Sequence, residues 1–175
     1  MTKQSLKMLF EHNNWANSRI IEACSALADE QLDAEPKSAT AGSIRTTLSH
    51  LVTAQQGYLR LLTVPLEQRL DRIPTPPFAE LKNLASSSGE ALLALAQGES
   101  SIPLKGHIQT RDNFLVEPWV IMVQIINHAT EHREQIKSML TALGVTPPEI
   151  DGWSYGEFAG ALISPEKKDS RRGAA

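Results

Sequence analysis

The stretch Pro118–Leu143, PWVIMVQIINHATEHREQIKSMLTAL, decides how this chain folds. Read at helical pitch from His128, the side chains of Ile121, Ile125, Ile136, Met139 and Leu143 fall on one side, and Thr130, Glu134, Lys137 and Thr141 on the other. Pro118 suits the first position of such a helix, where an N–H would have no partner, and Gly144 suits its end. His128 and His132 differ by about 40° around the axis and about 6 Å along it, so both imidazoles can reach one point. On the apolar side they are expected to point into the protein, where an imidazole needs a partner.

Outward from this helix, three more carry the same periodicity. The first is expected over Thr2–Leu27, with Leu6, Leu9, Phe10, Ile20, Ile21, Cys24 and Leu27 on one face. Asn13 and Asn17 share that face, which an apolar core would not select, and Trp15 projects the opposite way. Ser43 can cap a second helix over Ser43–Thr63, and the Pro-rich segment Pro65–Pro77 stops it. A third spans Phe78–Gln97. Between 100 and 117 the period changes: Ile102, Leu104, Ile108, Phe114 and Val116 flank a Thr110–Asp112–Asn113 turn signal, which predicts a short hairpin. Asp151–Leu162 reads as a last short helix. The expected fold is all-α: an antiparallel four-helix bundle with a β-hairpin before the last long helix, one domain over 1–163 and a disordered tail over 164–175.

Composition narrows the function classes. A net charge of −3 and a pI near 6.0 argue against a broad nucleic-acid surface. No segment approaches the roughly 18 consecutive apolar residues of a membrane span. One cysteine, Cys24, excludes an intramolecular disulfide, and MTKQSLKMLFEHNNW lacks the apolar run of a signal peptide, so a cytoplasmic protein is expected.

Divalent ions such as zinc and nickel accept imidazole nitrogen, and three histidines leave a fourth position open. His128 and His132 supply two; the alternative is a pair of core histidines bonded to Asn13, Asn17 or Gln135. His50 sits at the edge of its helix's apolar sector, and the residues alone leave open whether it faces the pair. His12, beside Glu11, and His107, in the hairpin, are expected at the surface. Cys24 reads as core. His128-Ala-Thr-Glu131-His132 also fits the H-x-x-E-H pattern of the inverzincin metallopeptidases, but Glu131 points about 60° from His128 on the side away from His132, and too little chain follows to build a cleft.

The segment Ile126-Asn127-His128-Ala129-Thr130-Glu131-His132-Arg133-Glu134-Gln135-Ile136 resembles the N-H-x-x-x-H-R-x-Q helix of DinB-like proteins. His50 in Leu48-Ser49-His50-Leu51, the Asn14-Trp15-Ala16-Asn17 signature, and Leu143-Gly144, Pro148 and Asp151 to Tyr155 resemble further motifs of that family, in its order. The resemblance implies a bundle that binds a divalent metal through His50, His128 and His132. The ion would be zinc or nickel first, then iron, cobalt or manganese, and the protein a homodimer. It also implies a metal-dependent enzyme, foremost an S-transferase using a low-molecular-weight thiol on a small-molecule substrate. In such a site Asn13, Asn17 and Gln135 are expected to orient the ligands or the substrate. A metal-dependent hydrolase is the alternative. A non-catalytic metal-binding or interaction module is a third reading, motivated by Trp15 as a contact between subunits, unless the segment around Trp153 and Phe158 covers that ring.

Overall fold

The computed structural model describes residues 3–38, 41–70, 72–99 and 106–163. Four long helices carry the fold: α1 (Lys3–Ser25), α3 (Ile44–Thr63), α4 (Leu81–Gln97) and α5 (Pro118–Ala142). Short helices α2 (Asp29–Asp33) and α6 (Gly152–Phe158) flank them, and β1 (Ile108–Gln109) pairs antiparallel with β2 (Leu115–Val116) in the register Ile108↔Val116. The first helix is therefore shorter than its apolar periodicity suggested, ending at Ser25 with Leu27 in the turn that follows. Ile102, Leu104 and the 164–175 tail lie outside the described residues.

Local chemistry accounts for the helix ends. Ser43 Oγ accepts from Thr46 N–H while Thr46 Oγ1 accepts from Ser43 N–H, a reciprocal cap at the start of α3. Pro118 opens α5. Gly144, at φ 74°, takes the left-handed turn that ends it, and Asn113, at φ 63°, does the same in the hairpin.

α1 packs on α4 and α5, and α3 packs on the same two helices. Late α1 (Ile20, Cys24) and late α5 (Ile136, Met139) share an apolar cluster with early α3 (Ile44, Leu48) and early α4 (Leu81, Ala85). Phe10, Ile121 and Ile125 cluster instead with Leu62, Leu92 and Leu95. The α1·α4 and α3·α5 pairs are therefore antiparallel, whereas α3 and α4 run the same way. Residues 64–80 must return along the bundle; the 20 residues of α3 span about 30 Å, within reach of an extended strap of that length.

Between the two apolar clusters lies a polar layer: Asn13, Asn17, Gln55, Ser88 and Arg133 are all buried. α1 and α4 approach closely beside it, where a Cβ on Gly89 would stand 2.6 Å from Asn14 Oδ1. The histidines sit at the level of this layer, on α3 and α5.

Candidate metal centre

His50 projects from α3 and His128 and His132 from α5, and their ligand nitrogens all lie within 4.8 Å of one another. His128 Nε2 stands 3.2 Å from His50 Nε2 and 3.2 Å from His132 Nε2. A tetrahedral ion with bonds of about 2.0–2.1 Å to nitrogen would hold its ligands about 3.3–3.4 Å apart. The spacing fits such an ion.

Hydrogen bonding explains why a cation suits these rings better than their own company. Gln135 Oε1 can only accept, so His132 Nδ1, 2.6 Å away, carries the proton and leaves Nε2 with its lone pair exposed to the cluster. His128 Nε2 can satisfy that lone pair only as a donor, and it then has nothing to offer His50. Neutral rings cannot make both 3.2 Å contacts good hydrogen bonds. Three lone pairs turned toward one cation remove the conflict.

The electrostatics agree. Burial, reinforced by His132 and then His50, pulls His128 down from 6.5 to about 4. His50 is lowered too, first by desolvation and then by His132. Much of the His50 side chain is exposed, but its Nε2 faces the cluster, 3.2 Å from His128 Nε2. Both rings are thus held in the neutral form that ligates metal.

The structure changes several expectations about neighbours. The pair does not lie deep in the core: His128 and His132 are half-buried and His50 is exposed, with a cavity on either flank of His50. Asn13 and Asn17 do not reach the histidines. They accept from Arg133 Nη1 at 2.8 and 2.6 Å, and Asn17 Nδ2 donates to Gln55 Oε1 at 2.9 Å. Of the three proposed orienting residues, only Gln135 touches a ring of the cluster. His12 is not a solvated side chain, since its Nε2 bonds Ile150 O at 2.9 Å and its ring packs on Trp15 and Tyr155. Trp15 is covered by Tyr155 and Phe158, with ring centroids 5.4 and 5.7 Å away, while Trp153 stays exposed. His107 is exposed and Cys24 is buried, as expected, and Glu131 is exposed as well.

Sequence reasoning missed Arg133, Gln55 and Tyr58. Arg133 is 3% exposed, and burial brings its guanidinium down to about 10, still charged at neutral pH. Tyr58 sets its ring edge-on to His128 at 5.6 Å. It borders a cavity of about 430 Å³ into which His50 and His128 open, walled by α3, the 64–80 strap and the hairpin turn. A larger apolar cavity of about 850 Å³, between Leu6, Leu9, Trp119 and Met122, has no histidine of the cluster in its lining.

Comparison with known proteins agrees with this architecture. Protein DinB of Bacillus subtilis (strain 168) is 24% identical over 160 residues, which cover 86% of this chain and 91% of that protein. The crystal structure of a DinB-like protein from Bacillus cereus ATCC 10987 has the same fold, with a TM-score of 0.63 at 17% identity over 85% of this chain and 97% of the other. A match to the DinB family runs over residues 1–169, and the chain belongs to that family.

Proposed function

We propose that His50, His128 and His132 ligate a divalent metal ion, zinc or nickel foremost, and that the protein is a metal-dependent enzyme of the thiol S-transferase type. The observation that carries this reading is the convergence of three Nε2 atoms at 3.2 Å spacings beside an open cavity. A bound divalent ion supplies Lewis acidity and lowers the pKa of a coordinating thiol or water. The chain's own residues hold and orient: His132 is fixed by Gln135, His128 is kept neutral by burial, and exposed His50 leaves the outer side of the cluster accessible. All three ligands are neutral, so the full charge of the ion acts on what enters.

The chain offers no thiol of its own for the reaction. Cys24 is fully buried at the far end of α1, and burial pushes its pKa up to about 12. The sulfur would come from a low-molecular-weight thiol and the acceptor would be a small electrophile. A homodimer belongs to the same proposal, with a contact other than the covered Trp15. No helix among the described residues is long and apolar enough to cross a membrane.

The test begins with elemental analysis of untagged protein before any chelator, then follows thiol consumption with model electrophiles. Metal near one equivalent and turnover that disappears in His132→Ala are expected. Metal-dependent ester cleavage without added thiol would move the assignment to a hydrolase. Metal at the same level in His132→Ala would overturn the ligand set.

A further inference from the structure

We infer that a second copy of this chain docks, two-fold related, on the apolar face formed by the starts of α1 and α5 and the outer side of the hairpin, with Trp119 at its centre. The inference deepens the homodimer part of the proposed function and rests on it. It does not depend on which metal or reaction the histidine centre serves.

The face is continuous. Leu9, Val123 and Trp119 border the cavity of about 850 Å³ between α1 and α5. Trp119, Val120, Phe114 and Leu115 border an adjoining hollow of about 410 Å³, and Trp119 and His107 belong to both. Trp119 is 62% exposed, Phe114 67% and Leu115 68%, and Leu9, Val120 and Val123 are exposed as well. Later in α5 the exposed positions include Glu131 and Glu134, as a solvated helix face requires; in its first turns they are Trp119, Val120 and Val123. At such exposures the six side chains present on the order of 600 Å², against roughly 300–600 Å² for the largest patch on a typical monomer and roughly 800 Å² that each partner gives a standard interface.

Charge and shape select a copy of the same chain. Among the described residues bordering either hollow there is no lysine or arginine, so the face lacks the cations that a lipid surface or a nucleic acid would need. Its one carboxylate, Glu117, accepts from Trp119 Nε1 at 2.6 Å. Two chains of net charge −3 can therefore meet here with little repulsion, and the indole can be covered with its N–H already satisfied. Phe114 and Leu115 project from the hairpin beside the groove that Leu9, Trp119 and Val123 line. A two-fold axis near Trp119 lays the ridge of each copy over the groove of the other, a closed and self-complementary contact.

Such a contact bears on the histidine centre. The hairpin strands are two residues each, too short to hold themselves, and Ile108 and Val116 pack inward. Thr110 and Arg111 at its turn wall the 430 Å³ cavity into which His50 and His128 open. A partner seated against Phe114 and Leu115 holds that wall from the other side.

Sedimentation velocity of the full chain, with and without zinc, reads the mass in solution. Wild type is expected to be a dimer at micromolar concentration. Trp119→Glu should raise the dissociation constant at least about tenfold with helicity and zinc uptake unchanged, since the ring is already exposed in a single chain. Leu115→Glu on the ridge should act the same way, and deuterium exchange over 108–116 should quicken in both variants. Trp153→Glu, 75% exposed on α6 and outside this face, should leave the dimer intact. His132→Ala should remain dimeric, so a failure of the metal assignment leaves this result untouched. A monomeric wild type would remove the homodimer and this inference together, whereas a dimer indifferent to Trp119→Glu and Leu115→Glu would keep the homodimer and overturn the inference alone. Lower stability of Trp119→Glu with no change in mass would give the groove to residues 100–105 of the same chain, and would overturn it as well.

Discussion

Arg133 Nη1 donates to Asn17 Oδ1 at 2.6 Å, and through that amide the helix bearing two of the histidines is tied to the rest of the bundle. Asn17 passes the connection to Gln55 on α3, which donates to Ser88 Oγ and Ala85 O on α4 at 2.7 and 2.9 Å. One continuous hydrogen-bonded layer thus touches all four long helices. Apolar contacts tolerate small slides of one helix along another, whereas a buried guanidinium between two amide oxygens does not. The layer fixes the axial register of α5 against α3, and the distance from His50 to His128 depends on that register.

Arg133→Met keeps the bulk and removes the donors. Asn13 and Asn17 oxygens then lose their buried partner, at about 1–3 kcal/mol each before relaxation, so a destabilisation of about 3 kcal/mol is expected in urea unfolding. Metal affinity should fall as well, although Arg133 touches none of the histidines. A loss under 1 kcal/mol would show that the layer is not stabilising.

Gln135→Leu tests the orientation of His132. Without the Oε1 acceptor, Nδ1 need not carry the proton and the ring is free to turn, so metal affinity should drop about 10–100-fold with the fold intact. Competition against a chromophoric chelator measures this. Lys137→Ala, whose amine pairs with Glu134 rather than with the histidines, provides the unchanged control.

The bundle was legible because four apolar periodicities, a cap at Ser43 and breakers at Pro118 and Gly144 all agree locally. The ligand triad was half legible: i,i+4 spacing brings His128 and His132 together whatever the tertiary fold, but His50 reaches them only through helix packing. Arg133 escaped because it lies about 140° from His128 on the helix, where a single apolar stripe predicts solvent. α5 is in fact covered on two sides, by α3 and by α1. Asn13 and Asn17 were visible as polar residues on a core face, yet their partner was not. The cavity walls come from the strap and the hairpin, whose positions no local pattern encodes.

Trp15→Glu distinguishes a covered ring from an intersubunit contact. The ring packs on Tyr155 and Phe158 within the same chain, so elution volume on size exclusion should be unchanged. The expected effect is local: α6 loses its aromatic anchor, and proteolysis near Gly152–Phe158 should accelerate. A shift in elution would return Trp15 to the subunit interface.

The metal-free protein should become less stable as pH falls from 6.5 to 4. The folded chain holds His128 at about 4 against an ordinary 6.5, so between those values the unfolded chain binds more protons and acidification favours it. The stability associated with the neutral ring is complete above pH 6.5 and lost as pH falls through 4; His50, lowered in the same direction, adds to the slope. Bound metal competes with protons for the same nitrogens, so loading should move the decline to lower pH. Urea midpoints measured across this window, with and without zinc, provide the comparison, and His128→Gln should flatten the metal-free curve. If the variant keeps the wild-type slope, carboxylates rather than the histidine cluster govern acid stability.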